Sequence, residues 1–240
     1  MNRFRSYAVS HPGAVRTHNE DNYVDRPDIG RWAVADGAGG HEAGEVASGM
    51  IAEALSSIPP GLSASELLAQ VRLRISATHQ ALRDEAVRRG PRTMIASTLV
   101  VLLARDGHFA CLWAGDSRIY LLRAGQLSQV TRDHSLVQEL VDSGAITAEE
   151  AEGHPRANVI TRAVGAECDA LELEKVSGRL MAGDRFLLCS DGLNKTLPDD
   201  ELAVLLGDDQ AVSPAQGLVD TALARRATDN VTAITVDVAR

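Results

Sequence analysis

The strongest constraint on the fold is a series of short apolar runs that follow one another at hairpin distance. Residues 97–104 and 108–113 have the pattern of β-strands and are separated by Asp106-Gly107, a dipeptide typical of tight hairpin turns. Residues 119–130 contain a second pair of such runs. Because strands joined by hairpins pair antiparallel, the pattern excludes a doubly wound parallel sheet. It predicts antiparallel sheets instead.

Three longer segments have the periodicity of amphipathic helices. The first begins after Gly40 and ends at Pro59, which cannot continue a helix. The second begins at Ser63-Ala64-Ser65-Glu66, which has the spacing of a capping box, and the last begins at Ser213. A helix that is apolar on one face needs a surface to cover that face. We therefore expect a helical layer that lies on a sheet.

Residues 134–165 interrupt the strand pattern. They contain two short helical segments, the second capped by Thr147, and then a polar stretch. We expect this segment to leave the core as a small flap. No internal repeat, low-complexity tract or linker divides the chain, so we expect one domain over residues 1–240, closed by a strand at residues 231–238.

Composition excludes several classes of protein. The net charge of −9 argues against a protein that binds nucleic acid, which needs a basic face. No apolar run approaches the about 20 residues that span a bilayer, and no apolar segment of a signal peptide follows the basic N-terminus. Cys111, Cys168 and Cys189 are widely spaced and form no CxxC pair, which suits a reducing compartment. We expect a cytoplasmic protein without a membrane span.

Four aspartates stand at the ends of apolar runs or directly before one: Asp36, Asp116, Asp191 and Asp229. If one sheet system brings them to the same edge, they repel one another unless a cation binds. Ligation by oxygen alone suits Mg²⁺ or Mn²⁺ and not zinc. Each site alone is more typical of a turn than of a metal ligand, because Asp-Gly is a common turn dipeptide. Convergence therefore stays open at this point.

The glycine-rich stretch after Asp36 is, on its own, more typical of a tight strand-to-helix turn with a solvated Asp36 than of a site for a metal-bound phosphate. Gly37 has no Cβ, so its backbone can approach a ligand closely. A nucleotide-binding loop fails on pattern, because Glu42 stands where GxGxxG needs its last glycine. Such a loop would also place a phosphate directly after Asp36, which repels it unless a metal intervenes. Arg16 could supply a planar fork for a phosphate, although alone it is equally typical of a surface.

Six short motifs follow one another over nearly the whole chain. They are Arg16-x-x-Asn19-Glu20-Asp21-Asn22, Val34-Ala35-Asp36-Gly37-x-Gly39-Gly40-His41, Ala114-Gly115-Asp116-Ser117-Arg118, His154-Pro155-x-x-Asn158-Val159-x-Thr161-Arg162-Ala163-Val164-Gly165, Ser190-Asp191-Gly192-Leu193 and Asp229-Asn230-Val231-Thr232. In this order they resemble the metal-dependent Ser/Thr protein phosphatases (the type-2C, or PPM, family), most closely the compact bacterial members. The resemblance implies an α+β fold, a four-layer α-β-β-α sandwich of two central antiparallel sheets flanked by helices, plus the flap.

The resemblance also implies a metal centre of two Mn²⁺ or Mg²⁺ ions. Asp36 is expected to bridge both ions. The Gly37 carbonyl is expected on one of them, and Asp191 and Asp229 on the other. Asp116, together with Asp191, is similar to a third, weaker metal site found in bacterial members.

Three further residues receive roles from the same resemblance. Glu20 and Asp21 are expected to hold waters of the metal ions, and Arg16 is expected to grip the phosphate. The ions then activate a water that attacks phosphorus directly, without a covalent enzyme intermediate. Ala38 departs from the family, whose bacterial members usually have methionine and whose eukaryotic members often have histidine there. Ala38 cannot act as a general acid, but methionine cannot either, so we do not expect it to inactivate the protein.

The leading hypothesis is a monomeric phosphatase that hydrolyses phosphoserine and phosphothreonine in phosphorylated proteins and opposes a cognate bacterial Ser/Thr kinase. The flap is expected to contribute to substrate recognition. The alternative is a pseudophosphatase that binds phosphoproteins without cleaving them. It ranks second, because pseudophosphatases tend to lose metal ligands and every expected aspartate is present here.

Overall fold

Two antiparallel β-sheets lie face to face between layers of helices in a computed structural model of the chain. The structure describes residues 3–39, 43–90, 93–167, 170–208 and 210–239. Gly40, His41, Glu42 and Cys168, which entered the sequence analysis, lie outside the described residues. No described helix combines the length and the apolar character that a membrane crossing requires.

The strands and helices follow a simple order along the chain. The strands are β1 Phe4–His11, β2 Asp21–Arg26, β3 Arg31–Ala38, β4 Ala96–Ser97, β5 Leu99–Arg105, β6 His108–Ala114, β7 Arg118–Arg123, β8 Gln126–Gln129, β9 Glu174–Arg179, β10 Arg185–Cys189 and β11 Val231–Val238. The helices are α1 Ala43–Ser56, α2 Ala64–Arg89, α3 Leu136–Asp142, α4 Ala148–Glu152, α5 Asp191–Asn194, α6 Asp199–Leu206 and α7 Pro214–Ala224.

Both sheets are antiparallel throughout. One sheet has the order β1-β11-β10-β7-β8, and the other has the order β2-β3-β5-β6-β9 with β4 beside β3. The first and last strands of the chain pair along their whole length, from Phe4 opposite Val238 to His11 opposite Val231. The two ends of the chain therefore belong to the same sheet.

Alternation along the strands divides the core into layers. In β3, Trp32 and Val34 are buried between the two sheets, whereas Ala33 and Ala35 pack against α1 and α2 on the other face. A third buried cluster joins the opposite sheet to α5, α6 and α7. Side chains of successive strand residues point to opposite faces, so one strand contributes to two layers of the core. The predicted four-layer α-β-β-α sandwich is confirmed.

Most of the predicted elements are present, with three differences. The polar residues 16–22 predict a loop, but β2 begins within them, because Asp21 pairs with β3. The alternating residues 171–176 predict a strand, but the strand found there is β9, at Glu174–Arg179, and Leu173 packs into the core beside α1 and α2. The short helices α5 and α6 had no signal in the periodicity. Cys111 and Cys189 are buried and free, as expected of small core residues.

Candidate metal centre

Strand ends bring the predicted aspartates to one edge of the sandwich. Asp36 lies near the end of β3, and its cross-strand partner is Asp21, the first residue of β2. Asp191 lies just beyond β10 and Asp229 lies just before β11, and these two strands are neighbours. Asp116 lies just beyond β6. Carboxylates that are far apart in the sequence therefore share one region of the fold.

The backbone of Asp36 is fixed by its neighbours in the sheet. The carbonyl oxygen of Asp36 accepts hydrogen bonds from Thr98 N at 2.8 Å and from Ser97 Oγ at 2.9 Å. The amide of Asp36 donates to Thr98 Oγ1 at 3.3 Å. That hydroxyl also lies 2.7 Å from Ser117 Oγ, in the loop that carries Asp116. The Asp36 carboxylate thus stands on a rigid platform.

Gly37 occupies a position with no room for a side chain. A Cβ at Gly37 would lie 2.2 Å from the carbonyl oxygen of Gly44 in α1 and 2.7 Å from that of Glu20, both of them backbone atoms. The Gly37 amide donates to Glu20 O at 3.2 Å. The close approach of α1, the loop before β2 and the end of β3 therefore requires glycine and holds the Gly37 backbone in place.

Asp21 has one satisfied carboxylate oxygen and one that is not. Its Oδ2 accepts hydrogen bonds from Ser190 Oγ at 2.7 Å and from Thr232 Oγ1 at 2.6 Å. Its buried Oδ1 has no hydrogen-bond partner in the described part of the chain. Burial raises the pKa of Asp21 to about 7, and the hydroxyls of Thr232 and Ser190 oppose that rise. The free oxygen of a buried, oriented carboxylate fits a cation or a water that a cation orders.

Asp116 repeats this arrangement. Its side chain is buried, and none of the described residues forms a hydrogen bond with Oδ1. Burial and, to a smaller extent, the carboxylate of Asp191 raise the pKa of Asp116 to about 6, against the opposing charge of Lys195. The preceding Gly115 has φ of +113°, and a Cβ there would lie 2.5 Å from Thr98 Cβ. The turn that places Asp116 therefore depends on glycine.

Lys195 lies among these carboxylates. Its Nζ is 2.6 Å from Asp191 Oδ2 and 3.7 Å from Asp116 Oδ2. The same nitrogen donates to Asn158 Oδ1 at 2.8 Å. Burial lowers the pKa of Lys195, but the attraction of Asp191 and Asp116 outweighs burial, so the pKa lies above its ordinary value. The ammonium therefore stays charged at neutral pH.

Arg16 and Asp229 form an ion pair at the rim. Arg16 Nη2 lies 3.0 Å from Asp229 Oδ2, and both side chains are about half exposed. Asn230 fixes the loop that carries Arg16, because its Nδ2 donates to Pro12 O at 3.0 Å and to His18 O at 2.9 Å. Its Oδ1 accepts from the amide of Glu20 at 2.8 Å. One asparagine thus joins the start of β11 to the segment before β2.

The carboxylates interact strongly with one another. Desolvation raises the pKa of Asp36 well above its ordinary value, and so do the neighbouring carboxylates of Asp21, Asp191, Asp116 and Asp229. In the described part of the chain, no group of three or more His, Cys, Asp or Glu side chains already has a geometry that could hold a metal ion. Asp229 and Asp191 are instead paired with Arg16 and Lys195.

The residues nevertheless fit a centre of hard divalent cations. The buried Oδ1 of Asp21 has no hydrogen-bond partner among the residues that the structure describes. Burial raises the pKa values of Asp21, Asp36 and Asp116, and the neighbouring carboxylates also contribute to the rise. The donors are carboxylate and carbonyl oxygens, which Mg²⁺ and Mn²⁺ prefer.

Several supporting residues had no role in the sequence prediction. Ser190 and Thr232 orient Asp21, and Asn230 holds the loop of Arg16. Lys195 is the one for which the sequence carries a signal, since it stands four residues after Asp191, the spacing of an ion pair on a helix. Nothing in the sequence indicates its contacts with Asp116 and Asn158, which are 79 and 37 residues away.

Comparison with known proteins gives consistent results. Residues 14–225 match the family described as protein phosphatase 2C. The structure of PppA, described as a key regulatory component of the T6SS in Pseudomonas aeruginosa, is 45% identical with a TM-score of 0.90, over 98% of this chain and 97% of that chain. The serine/threonine protein phosphatase PstP of Mycobacterium tuberculosis is 36% identical over 98% of this chain.

The mycobacterial protein is longer, and the chain spans 45% of its length. The catalytic domain of PstP has been solved in complex with two manganese ions, and it is 36% identical with a TM-score of 0.84 over 99% of both chains. The resemblance inferred from the six motifs is thereby confirmed, and the chain belongs to the protein phosphatase 2C family.

Proposed function

We propose that this chain is a metal-dependent phosphatase that hydrolyses phosphoserine and phosphothreonine in proteins. The observation that carries the proposal is the cluster of aspartates at one edge of the sandwich, in which the buried Oδ1 of Asp21 has no partner among the described residues. The family and the manganese complex of the PstP catalytic domain support a centre of two Mn²⁺ or Mg²⁺ ions. Asp36, the Gly37 carbonyl, Asp191 and Asp229 would hold them.

The ions, when bound, supply Lewis-acid stabilisation of the phosphoryl charge and a nucleophilic water at neutral pH. The residues of the chain hold the oxygen ligands in fixed positions. The fixed backbones of Asp36 and Gly37 keep their oxygens in place without reorganisation. Asp21, oriented by two hydroxyls, presents Oδ1 as an acceptor for a water, and Glu20 beside it would do the same.

Arg16 would bind the phosphate of the substrate. Its guanidinium is half exposed and now pairs with a single carboxylate, that of Asp229. A cation at Asp229 would compete for this carboxylate and leave the guanidinium free for two parallel hydrogen bonds to a phosphate. The methyl side chain of Ala38 has no acidic proton, so it cannot protonate the leaving oxygen of serine or threonine.

The substrates would be phosphorylated proteins, and the opposing enzyme a cognate Ser/Thr kinase. We also propose a monomeric, cytoplasmic protein with one domain over residues 1–240. The pairing of β1 with β11 supports a single domain, because no cut in the chain separates the two sheets. The segment of residues 134–165 would act as the flap that contacts substrate. Its base is held at His134, whose amide donates to Gly115 O at 2.9 Å.

The pseudophosphatase alternative finds no support. Each expected aspartate lies in the cluster, and the curated relatives carry the names of serine/threonine phosphatases.

Hydrolysis of a phosphothreonine peptide tests the proposal. We expect activity with Mn²⁺ or Mg²⁺ that EDTA abolishes and that Asp36→Asn removes, because the variant loses a carboxylate at the centre. Asp84→Asn is the matched control. Asp84 is an exposed residue of helix α2 outside the cluster of aspartates, so this variant should retain the activity. A rate that does not depend on metal, or no rate with either ion, would refute the proposal.

A further inference from the structure

The ammonium of Lys195 is bound by three segments of the chain at once. Asp191 comes from the end of β10, Asp116 from the loop after β6 and Asn158 from residues 134–165. Three oxygen atoms within 3.7 Å therefore surround one small cation. The resemblance described above expects a third metal ion between Asp116 and Asp191. We propose that Lys195 takes the place of that third ion, so that the chain binds two divalent ions and links residues 134–165 to the metal centre through its own ammonium.

The charge of the neighbourhood supports this assignment. The side chains of Asp116 and Asp191 are only 6% and 16% exposed, so water screens their repulsion weakly. A lysine supplies the positive charge that such a pair requires. A third divalent ion would have to displace the ammonium from Asp191 and would then be repelled by it at short range.

The local backbone delivers Lys195 to this position. Lys195 ends the short helix α5, and its amide donates to Asp191 O at 2.9 Å. One helical turn therefore separates the two residues, with the acid before the lysine, which is the favourable order. Leu193 and Leu197 on either side are fully buried and anchor this turn. The fold of this turn therefore fixes the position of the Lys195 ammonium.

The composition of the chain makes the choice of lysine unusual. Of its 24 basic residues, only Lys175 and Lys195 are lysines, and the rest are arginines. An ammonium is a compact point charge, whereas a guanidinium is a large planar group. A position between two carboxylates and an amide oxygen suits the compact cation. Lys175, in the edge strand β9, is exposed and gives a natural control.

The contact with Asn158 gives the assignment a second consequence. Asn158 precedes Val159, whose carbonyl accepts from the amide of Leu136 at 2.9 Å, so Asn158 is tied to α3. The ammonium of Lys195 holds this part of the flap against Asp191. Lys195 is thus a positioning residue for the flap, and it does not itself contact the reacting atoms.

The inference rests on the proposed function, and the number of bound ions tests the two separately. Metal-free protein is equilibrated with excess Mn²⁺, and free Mn²⁺ is measured by electron paramagnetic resonance. We expect two ions for the unmodified chain and for Lys175→Met. We expect three for Lys195→Met, in which Asp116 and Asp191 lose their cation. Adding Asp116→Asn to Lys195→Met should return the number to two, which shows where the third ion binds.

Hydrogen exchange of residues 153–160 provides a readout that does not depend on metal count. We expect faster exchange in Lys195→Met than in Lys175→Met, because the flap loses its contact at Asn158. Three ions on the unmodified chain, or two on a folded Lys195→Met variant, would overturn the inference and leave the proposed phosphatase intact. No bound ion on the unmodified chain would overturn both. Circular dichroism melting confirms that each variant is folded.

Discussion

The metal-free protein should lose stability as the pH rises, which is a direct consequence of the buried Asp21. The native pKa of Asp21 is about 7 and its ordinary value is 3.8. Between these values the native carboxyl holds a proton that the unfolded chain has released. A raised native pKa contributes stability that is fully present below the unfolded pKa and is lost as the pH rises through the native pKa.

The magnitude follows from the same two values. The protonation of Asp21 differs between the native and the unfolded chain from pH 3.8 to about pH 7. A rise from about pH 5 to about pH 8 covers roughly two pH units of this range, so the free energy of unfolding falls by about 3 kcal/mol. The raised pKa values of Asp36 and Asp116 act in the same direction. His134 acts in the opposite direction, because burial lowers its pKa.

Urea unfolding in EDTA at the two pH values measures the effect. Asp21→Asn isolates it, because an amide does not titrate over this range while His134 and the other groups remain. We expect the loss of stability with pH to be smaller in Asp21→Asn than in the unmodified chain. Mn²⁺ should reverse the trend, because cations bind the ionised carboxylates. If the free energy of unfolding in EDTA falls with pH equally in Asp21→Asn and in the unmodified chain, this result refutes the argument.

Three further predictions follow from contacts at the site. Asn230→Ala removes three hydrogen bonds to the backbone and should lower the free energy of unfolding by about 2–3 kcal/mol in urea titrations. Gly192→Ala places a Cβ 2.1 Å from a backbone oxygen and should reduce the melting temperature, whereas Gly217→Ala meets nothing within 4 Å and should not. Arg16→Lys should raise KM for a phosphopeptide about tenfold, because lysine lacks the planar fork, and should leave the stability unchanged, since the exposed pair with Asp229 is worth under about 1 kcal/mol.

Local signals predicted most of the fold. The hairpin at Asp106-Gly107, with positive φ at both residues, and the capping box of Ser63 with Glu66 are present as expected. These features depend on neighbours in sequence, so the sequence contains what determines them. The strand β2 was missed because its residues are polar, and its partner β3 alone determines that it is a strand.

The site was predictable only where motifs carry its residues. The motifs named the aspartates and Arg16, and strand ends bring them to one region. Contacts across the fold were not predictable in this way, since the hydroxyls that orient Asp21 come from Ser190 and Thr232, 169 and 211 residues away. The packing of the two sheets brings these residues together, and local sequence patterns do not encode that packing.

Two ion pairs offset the electrostatic repulsion within the cluster of aspartates. Asp229 is balanced by Arg16 at the rim, and Asp191 is balanced by Lys195 further inside. The first pair is half exposed and contributes little to stability, so a cation can exchange with it readily. The second involves the carboxylate of Asp191, which is only 16% exposed, and a further hydrogen bond from Lys195 to Asn158, so exchange there also disrupts the flap. Asp229 therefore gains a metal at small cost, whereas Asp191 would share its carboxylate between a metal and the ammonium of Lys195.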